Sequence, residues 1–157
     1  MRFVVISDSH GRKGNIFDII SMHIEDADYF LCLGDCNSGN DFEDAQIYFK
    51  DKLKLLFVSG NCDWSSTEPA LREIKSMGKR ILFCHGHTFK VKYGIDMLAY
   101  EAKQRNANVV LFGHTHNPFH EIRDGLHIFN PGAAQDGCYG MVDITSTGIL
   151  CIHAKLK

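Results

Sequence analysis

Five short apolar segments constrain the fold of this chain more than any other feature. Each is followed within three residues by Asp, Asn or His, in four cases after one or two small turn residues. The segments are Phe3–Ile6, Tyr29–Leu33, Leu53–Val58, Ile81–Cys84 and Val109–Phe112. Short apolar runs of this kind are typical of buried strands. Helical patterns are predicted at about Gly14–Ile24, Ala45–Phe49 and Ile95–Arg105, and hairpins over His120–Phe129 and Tyr139–Ala154. A layered α/β fold with two packed sheets accounts for both halves of the chain.

The polar residues after these segments form a candidate site, because ligands collect at the carboxyl ends of strands in open α/β sheets. The candidate donors are Asp8, His10, Asp35, Asn61, His85, His114 and His116. Residues two apart at a strand end point the same way, so the first two donors and the last two are each expected to converge. Carboxylate, carboxamide and imidazole groups without thiolate favour Mn²⁺, Fe²⁺, Co²⁺, Ni²⁺ or Zn²⁺ over a structural zinc. Seven donors exceed the needs of one tetrahedral ion and fit two ions that share a carboxylate.

The order of these motifs is recognisable. Asp8-x-His10, Gly34-Asp35, Gly60-Asn61-x-Asp63, His85-Gly86-His87 and Gly113-His114-x-His116 resemble the calcineurin-like metallophosphoesterase superfamily. The resemblance runs from Arg2 to Thr145, and Asn130-Pro131-Gly132 with the short length is similar to its YfcE-like phosphodiesterase branch. It implies a four-layer αββα sandwich with two mixed sheets, in a single domain over residues 1–157 without a cap domain. It also implies that Asp8, His10 and His116 hold a first ion, that Asn61, His85 and His114 hold a second, and that Asp35 bridges them.

The expected chemistry is hydrolysis of small phosphodiesters or nucleotide-type substrates. Two divalent ions about 3.5–4 Å apart would clamp the phosphate, and a hydroxide held between them would attack phosphorus. Mn²⁺ is the expected ion, with Ni²⁺, Co²⁺, Fe²⁺, Zn²⁺ or Mg²⁺ as alternatives; Asn61 and His85 serve both catalysis and metal binding. Cys62 stands where many superfamily members carry a histidine proposed to protonate the leaving group. A neutral thiol is a poor proton donor, so His87 is a second candidate for that role.

Composition excludes several other classes of protein. The 157 residues carry 17 Lys and Arg against 19 Asp and Glu, a net charge of −2, which disfavours stable binding of nucleic acid. The longest apolar runs fall far short of the ~18 residues of a membrane span, so no membrane association is expected. The four apolar residues before Asp8 are too few for a signal peptide, which predicts a cytoplasmic protein. The six cysteines contain no Cys-x-x-Cys pair and are expected to be free thiols.

The sequence is also compatible with other functions. The fold also resembles the retromer small subunit, a non-catalytic scaffold, but all seven donor positions are occupied here, which favours an enzyme. A phosphomonoesterase and a homo-oligomeric state are both compatible with the sequence.

Asp63 is expected either as a turn cap or as a member of the site. His23, His120, His127 and His153 are expected to be ordinary side chains of a helix or a hairpin.

Overall fold

The computed structural model describes residues 1–157, which form ten strands and three α-helices. The strands are β1 (Arg2–Ile6), β2 (Tyr29–Cys32), β3 (Leu55–Phe57), β4 (Leu71–Ser76), β5 (Lys79–Cys84), β6 (Val109–Leu111), β7 (Phe119–Arg123), β8 (Leu126–Asn130), β9 (Cys138–Ile144) and β10 (Ile149–Lys155). The helices are α1 (Lys13–His23), α2 (Glu43–Phe49) and α3 (Asp96–Gln104).

The strands form two mixed sheets of five strands each. The first sheet has the order β10-β9-β1-β2-β3, with β1, β2 and β3 parallel and β9 antiparallel to both of its neighbours. The second has the order β4-β5-β6-β8-β7, with β5, β6 and β8 parallel and the two edge strands antiparallel. The parallel strands of each sheet therefore bring their carboxyl ends to one edge, where the site lies.

Three apolar clusters hold the layers together. One lies between the sheets and includes Phe3, Phe83 and Phe129. A second packs α1 and α2 against the outer face of the first sheet, and a third packs α3 against the outer face of the second. This is the four-layer αββα sandwich with two mixed sheets that the resemblance implied.

All five predicted strands, three helices and two hairpins are present, with bounds that differ by a few residues. The strand that sequence reasoning missed is β4, an edge strand that pairs with β5 across a turn at Met77-Gly78. Its apolar residues Leu71 and Ile74 are separated by Arg72 and Glu73 and pack on opposite faces of the sheet, so the strand contains no apolar run. The Met-Gly turn, with both residues at positive φ, was the available signal for this hairpin.

None of the helices is both long enough and apolar enough to cross a membrane.

Candidate metal centre

The loops after five strands converge at one edge of the sandwich and carry all seven predicted donors. Five of these donors have a left-handed backbone: Asp8 (φ 56°), His10 (φ 43°), Asp35 (φ 53°), His114 (φ 68°) and His116 (φ 61°). Non-glycine residues seldom adopt this conformation, which costs of the order of 1–2 kcal/mol each. The repeated use of a strained backbone at one place is characteristic of a functional site.

The expectation that strand alternation makes these donors converge is wrong. Asp8 and His10 lie beyond the end of β1, so the left-handed loop, not strand alternation, sets their directions. His114 and His116 diverge, because His116 faces Asp8 whereas His114 faces His85.

The first group of donors surrounds the fully buried carboxylate of Asp8. Its Oδ2 accepts hydrogen bonds from the Ser7 hydroxyl (2.5 Å) and from the backbone N–H of His114 (3.0 Å). Its Oδ1 is buried without a hydrogen-bond partner. The Nε2 atoms of His116 and His10 lie 3.2 Å and 3.8 Å from this oxygen, and 3.3 Å from each other.

The second group surrounds the fully buried ring of His85. Its Nε2 lies 3.1 Å from Asn61 Oδ1, 3.1 Å from His114 Nδ1 and 3.4 Å from Asp35 Oδ2. Its Nδ1 lies 2.8 Å from the carbonyl oxygen of Leu33. A hydrogen on Nδ1 that is donated to this carbonyl leaves the lone pair of Nε2 facing the other donors.

Asp35 lies between the two groups. Its Oδ2 is 3.4 Å from His85 Nε2 and 3.9 Å from His10 Nε2, so this one oxygen faces both. Its Oδ1 accepts the backbone N–H of Cys62 at 2.8 Å. One oxygen thus fixes the side chain while the other is directed into the site.

The buried carboxylate of Asp63 organises two of the loops. It accepts backbone N–H bonds from Asp35 (2.7 Å), Cys36 (3.2 Å), Ser38 (2.7 Å) and Gly60 (2.8 Å). It therefore acts as a cap that joins the loop after β2 to the loop after β3. The sequence could not distinguish this role from direct membership of the site, because the amides lie in two distant segments.

A second positioning carboxylate, Asp41, was missed by sequence reasoning. It is buried and accepts the Ser9 hydroxyl (2.6 Å) and the backbone N–H of Gly11 (2.8 Å), which fixes the loop that carries Asp8 and His10. Nothing in its sequence neighbourhood marked it, because Asp41 lies in an irregular segment some thirty residues from that loop.

The ionisation of the donors reflects their crowding. Burial alone would raise the pKa of Asp35, but its hydrogen bond to His85 and the charge of that ring hold the pKa below its usual range. Burial alone would lower the pKa of His85, but Asp35 and Asp8 raise it. Burial, with the positive charges of His85 and Lys92, lowers the pKa of His114 to about 4. A cation bound at His85 Nε2 would take the place of a proton there.

The donor set fits divalent cations. Asp8 Oδ1, which has no hydrogen-bond partner, and Asp35 Oδ2, which faces His85, are buried anionic atoms. Their nearest partners are imidazole nitrogens. Buried charges of one sign are stable only when they are paired or bound to a metal. Three sets of three ligand atoms at this centre meet the spacing of a metal site, each within 4.8 Å: Asp8 with His10 and His116, Asp35 with His85 and His114, and His10 with Asp35 and Cys62.

Cys62 and His87 lie beside this centre. Burial and the nearby carboxylates, Asp35 first, raise the pKa of Cys62 to about 11, so its thiol stays neutral at pH 7. Burial and the charge of His85 lower the pKa of His87. The ring centroids of His87 and His85 are 5.4 Å apart, and His87 Nδ1 is buried without a partner.

The fold and the site together define a class of protein. The sequence pattern of the calcineurin-like phosphoesterase superfamily domain matches residues 1–147. The chain therefore belongs to the calcineurin-like phosphoesterase superfamily, a metal-dependent family, and the resemblance seen in its motifs is confirmed.

Relatives and solved structures agree with this assignment. The chain is 28% identical over 133 residues to the probable metallophosphoesterase YsnB of Bacillus subtilis, covering 85% of this chain and 75% of that protein. It is 25% identical over 178 aligned positions to the phosphodiesterase YfcE of Escherichia coli K12, covering 98% and 93%.

Two solved structures share the fold at lower identity. A Streptococcus pneumoniae protein described as a predicted phosphoesterase superposes with a TM-score of 0.82 at 22% identity, covering 98% of this chain and 88% of that one. Vps29 of Chaetomium thermophilum superposes with a TM-score of 0.79 at 20% identity, covering 99% and 89%.

Proposed function

We propose that this protein is a metal-dependent phosphodiesterase that hydrolyses small phosphodiesters or nucleotide-type substrates. The observation that carries the proposal is the convergence of seven competent metal donors in two groups that share Asp35. The similarity to YfcE, a protein named as a phosphodiesterase, over nearly the whole chain supports the choice of a diester.

In this proposal each group of donors would hold one divalent ion. Asp8, His10 and His116 would bind the first ion, Asn61, His85 and His114 would bind the second, and the Asp35 carboxylate would serve both. Divalent ions held here would polarise the phosphate oxygens and make water more acidic. Mn²⁺ is proposed because carboxylate oxygens suit it and no thiolate is present in the donor set to select a softer ion.

The residues of the chain position the substrate and set its charge preference. A cleft of about 290 Å³ beside the centre is lined by His10, Gly11, Asp35, Asn37 and Cys62. The side chains of His10 and His116 remain 29% and 36% exposed, so a phosphate can reach them from solvent. Only two of the seven donors are anionic, so two divalent ions would leave an excess of positive charge that favours an anionic substrate.

A non-catalytic scaffold is the second candidate function. The similarity in fold to Vps29 of Chaetomium thermophilum favours it. A scaffold that only presents a surface does not need buried carboxylates on a left-handed backbone. Nor does it need a buried acceptor without a hydrogen-bond partner, such as Asp8 Oδ1. The complete donor set therefore favours the enzyme.

Metal-dependent turnover distinguishes these candidates. We expect the metal-free protein to be inactive, and Mn²⁺ to restore hydrolysis of bis-p-nitrophenyl phosphate more strongly than of p-nitrophenyl phosphate. The measurement is initial rate with both substrates across Mn²⁺, Ni²⁺, Co²⁺, Fe²⁺, Mg²⁺ and Zn²⁺. Absence of turnover with every ion would favour the scaffold, and preference for the monoester would make the protein a phosphomonoesterase.

The proton donor is tested by the choice of leaving group. A p-nitrophenolate leaves without protonation, whereas an alkoxide leaving group needs a general acid that contributes about 10²–10⁴-fold. If His87 supplies that proton, His87→Ala is expected to lose at least ~100-fold on an alkyl phosphodiester and little on the p-nitrophenyl diester. Since burial lowers the pKa of His87, the protonated form is the minor one at pH 7, and the ratio of the wild-type rate to the His87→Ala rate on the alkyl diester should grow as the pH falls towards that pKa.

Cys62→Ser tests whether Cys62 is the proton donor to the leaving group. With a pKa of about 11 the thiol holds its proton too tightly for efficient transfer, so we expect similar rates for this variant and the wild type on both substrates. An equal loss on both substrates in either variant would indicate a structural role and not proton donation.

A further inference from the structure

A second cluster of metal-binding side chains lies between the edges of the two sheets. It consists of His120 on β7, His127 on β8 and Cys151 on β10, and it shares no residue with the centre described above. In the β7–β8 hairpin His120 is opposite Phe129, and His127 is opposite Ile122, so the two histidines are diagonal neighbours on one face. The third member comes from the edge strand of the other sheet.

The separations of the ligand atoms match a tetrahedral ion. His120 Nε2 lies 3.2 Å from His127 Nδ1, which lies 3.8 Å from Cys151 Sγ. All three atoms lie within 4.8 Å of one another. With metal–nitrogen bonds of about 2.0–2.1 Å and a metal–sulfur bond of about 2.3 Å, tetrahedral geometry places two nitrogens ~3.3 Å apart and a nitrogen and a sulfur ~3.6 Å apart.

A single ring nitrogen cannot satisfy both neighbours at once. His127 Nδ1 carries either one hydrogen or one lone pair, yet both His120 Nε2 and Cys151 Sγ approach it. A cation held among the three atoms would satisfy all of them together. His120 is exposed, whereas His127 and Cys151 are half-buried, so water can complete the coordination from the solvent side.

We propose that His120, His127 and Cys151 form a second metal site, separate from the phosphoesterase centre, that binds a zinc-type divalent ion. Two imidazoles and one thiolate are the donors that Zn²⁺ prefers, in contrast to the thiolate-free set of the other centre. On binding, the Cys151 S–H bond breaks, its proton goes to solvent, and the sulfur lone pair binds the ion. The site would tie the β7–β8 hairpin of one sheet to β10 of the other.

No local pattern along the chain indicated this cluster. The three residues come from three strands, and neither His-x₆-His nor a single distant cysteine is a zinc-binding spacing. The hydrogen-bonded pairing of β7 with β8, and the packing of the two sheets, bring them together.

Zinc stoichiometry tests the proposal. The purified metal-free protein is dialysed against excess Zn²⁺ and its bound zinc is measured by mass spectrometry. We expect both His120→Ala and Cys151→Ser to bind one zinc fewer than the wild type, with affinity at that site weakened by more than ~100-fold. The matched controls His23→Ala and Cys138→Ser should bind as much zinc as the wild type.

Cobalt absorption identifies the thiolate directly. Co²⁺ bound to a cysteine sulfur gives a near-ultraviolet charge-transfer band, which we expect in the wild type and in Cys62→Ser but not in Cys151→Ser. Since His120 is exposed, His120→Ala should fold even if Cys151→Ser does not, and it should weaken the same band. Two outcomes would overturn the proposal: equal zinc content in His120→Ala and the wild type, or a cobalt band that disappears only in Cys62→Ser. In either case the contact between His120 and His127 would be an imidazole–imidazole hydrogen bond and not part of a metal site. Neither measurement depends on phosphodiesterase activity.

Discussion

Asp35→Asn is expected to lower kcat on bis-p-nitrophenyl phosphate by about 1,000-fold or more, equivalent to ~4 kcal/mol of transition-state stabilisation. Asp35 Oδ2 is the donor atom that faces both groups of ligands, at 3.4 Å from His85 Nε2 and 3.9 Å from His10 Nε2. An asparagine keeps an oxygen that can accept the Cys62 N–H, so the loop is preserved while the bridging negative charge is lost. The measurements are kcat with saturating Mn²⁺ and the number of metal ions bound.

The matched control is Asp124→Asn, an exposed carboxylate in the turn between β7 and β8 that pairs with Lys103 of α3. Its activity and metal content should equal those of the wild type. Circular dichroism must show that Asp35→Asn is folded. A folded Asp35→Asn variant with near wild-type kcat would exclude the bridging role.

Gly60→Ala is expected to destabilise the protein by about 3 kcal/mol and to disrupt metal binding as well. A Cβ built on Gly60 would overlap both Oδ1 and the backbone nitrogen of Asp35, which Asp63 holds in place. The clash is with backbone and with a buried carboxylate, so no flexible side chain can move away to relieve it. The measurement is the free energy of unfolding from urea titration, with metal content determined on the folded fraction.

Gly14→Ala provides the comparison at a glycine without such contacts. Gly14 lies in α1, and a Cβ there would meet nothing within 4 Å. Alanine favours helix over glycine by up to about 1 kcal/mol, so this variant should be as stable as the wild type or slightly more stable. Equal stability of both variants would mean that the loops after β2 and β3 are not tightly packed together.

Much of the fold was predictable because the central strands are buried on both faces. Strands such as Phe3–Ile6 and Val109–Phe112 are short apolar runs, and parallel sheets covered by helices require that composition. The edge strand β4 was not predictable in this way, because its apolar residues Leu71 and Ile74 are separated by charged residues and form no run. Edge position is a property of the sheet and has no local signal in the chain.

The site was partly predictable for a related reason. A polar residue that directly follows a buried strand must lie at the edge of the sheet, so the sequence identified Asp8, Asn61 and His85 as neighbours. Strand patterns alone could not divide the seven donors between two groups, and only the family resemblance supplied that division. The left-handed backbone at His114 and His116 sends adjacent ligands in different directions, which strand alternation does not predict. The sequence also could not assign the cap role of Asp63, whose partners are amides of distant segments.

Local patterns of apolar and polar residues were thus enough to establish the class of the fold, the edge of the sheets where the chemistry lies, and the residue types available there. The distances between donors, the carboxylates that position loops, and the meeting of His120, His127 and Cys151 became visible in the folded chain alone. Those relations depend on distances between segments far apart in the chain, and the pairing of strands and the packing of the two sheets fix those distances.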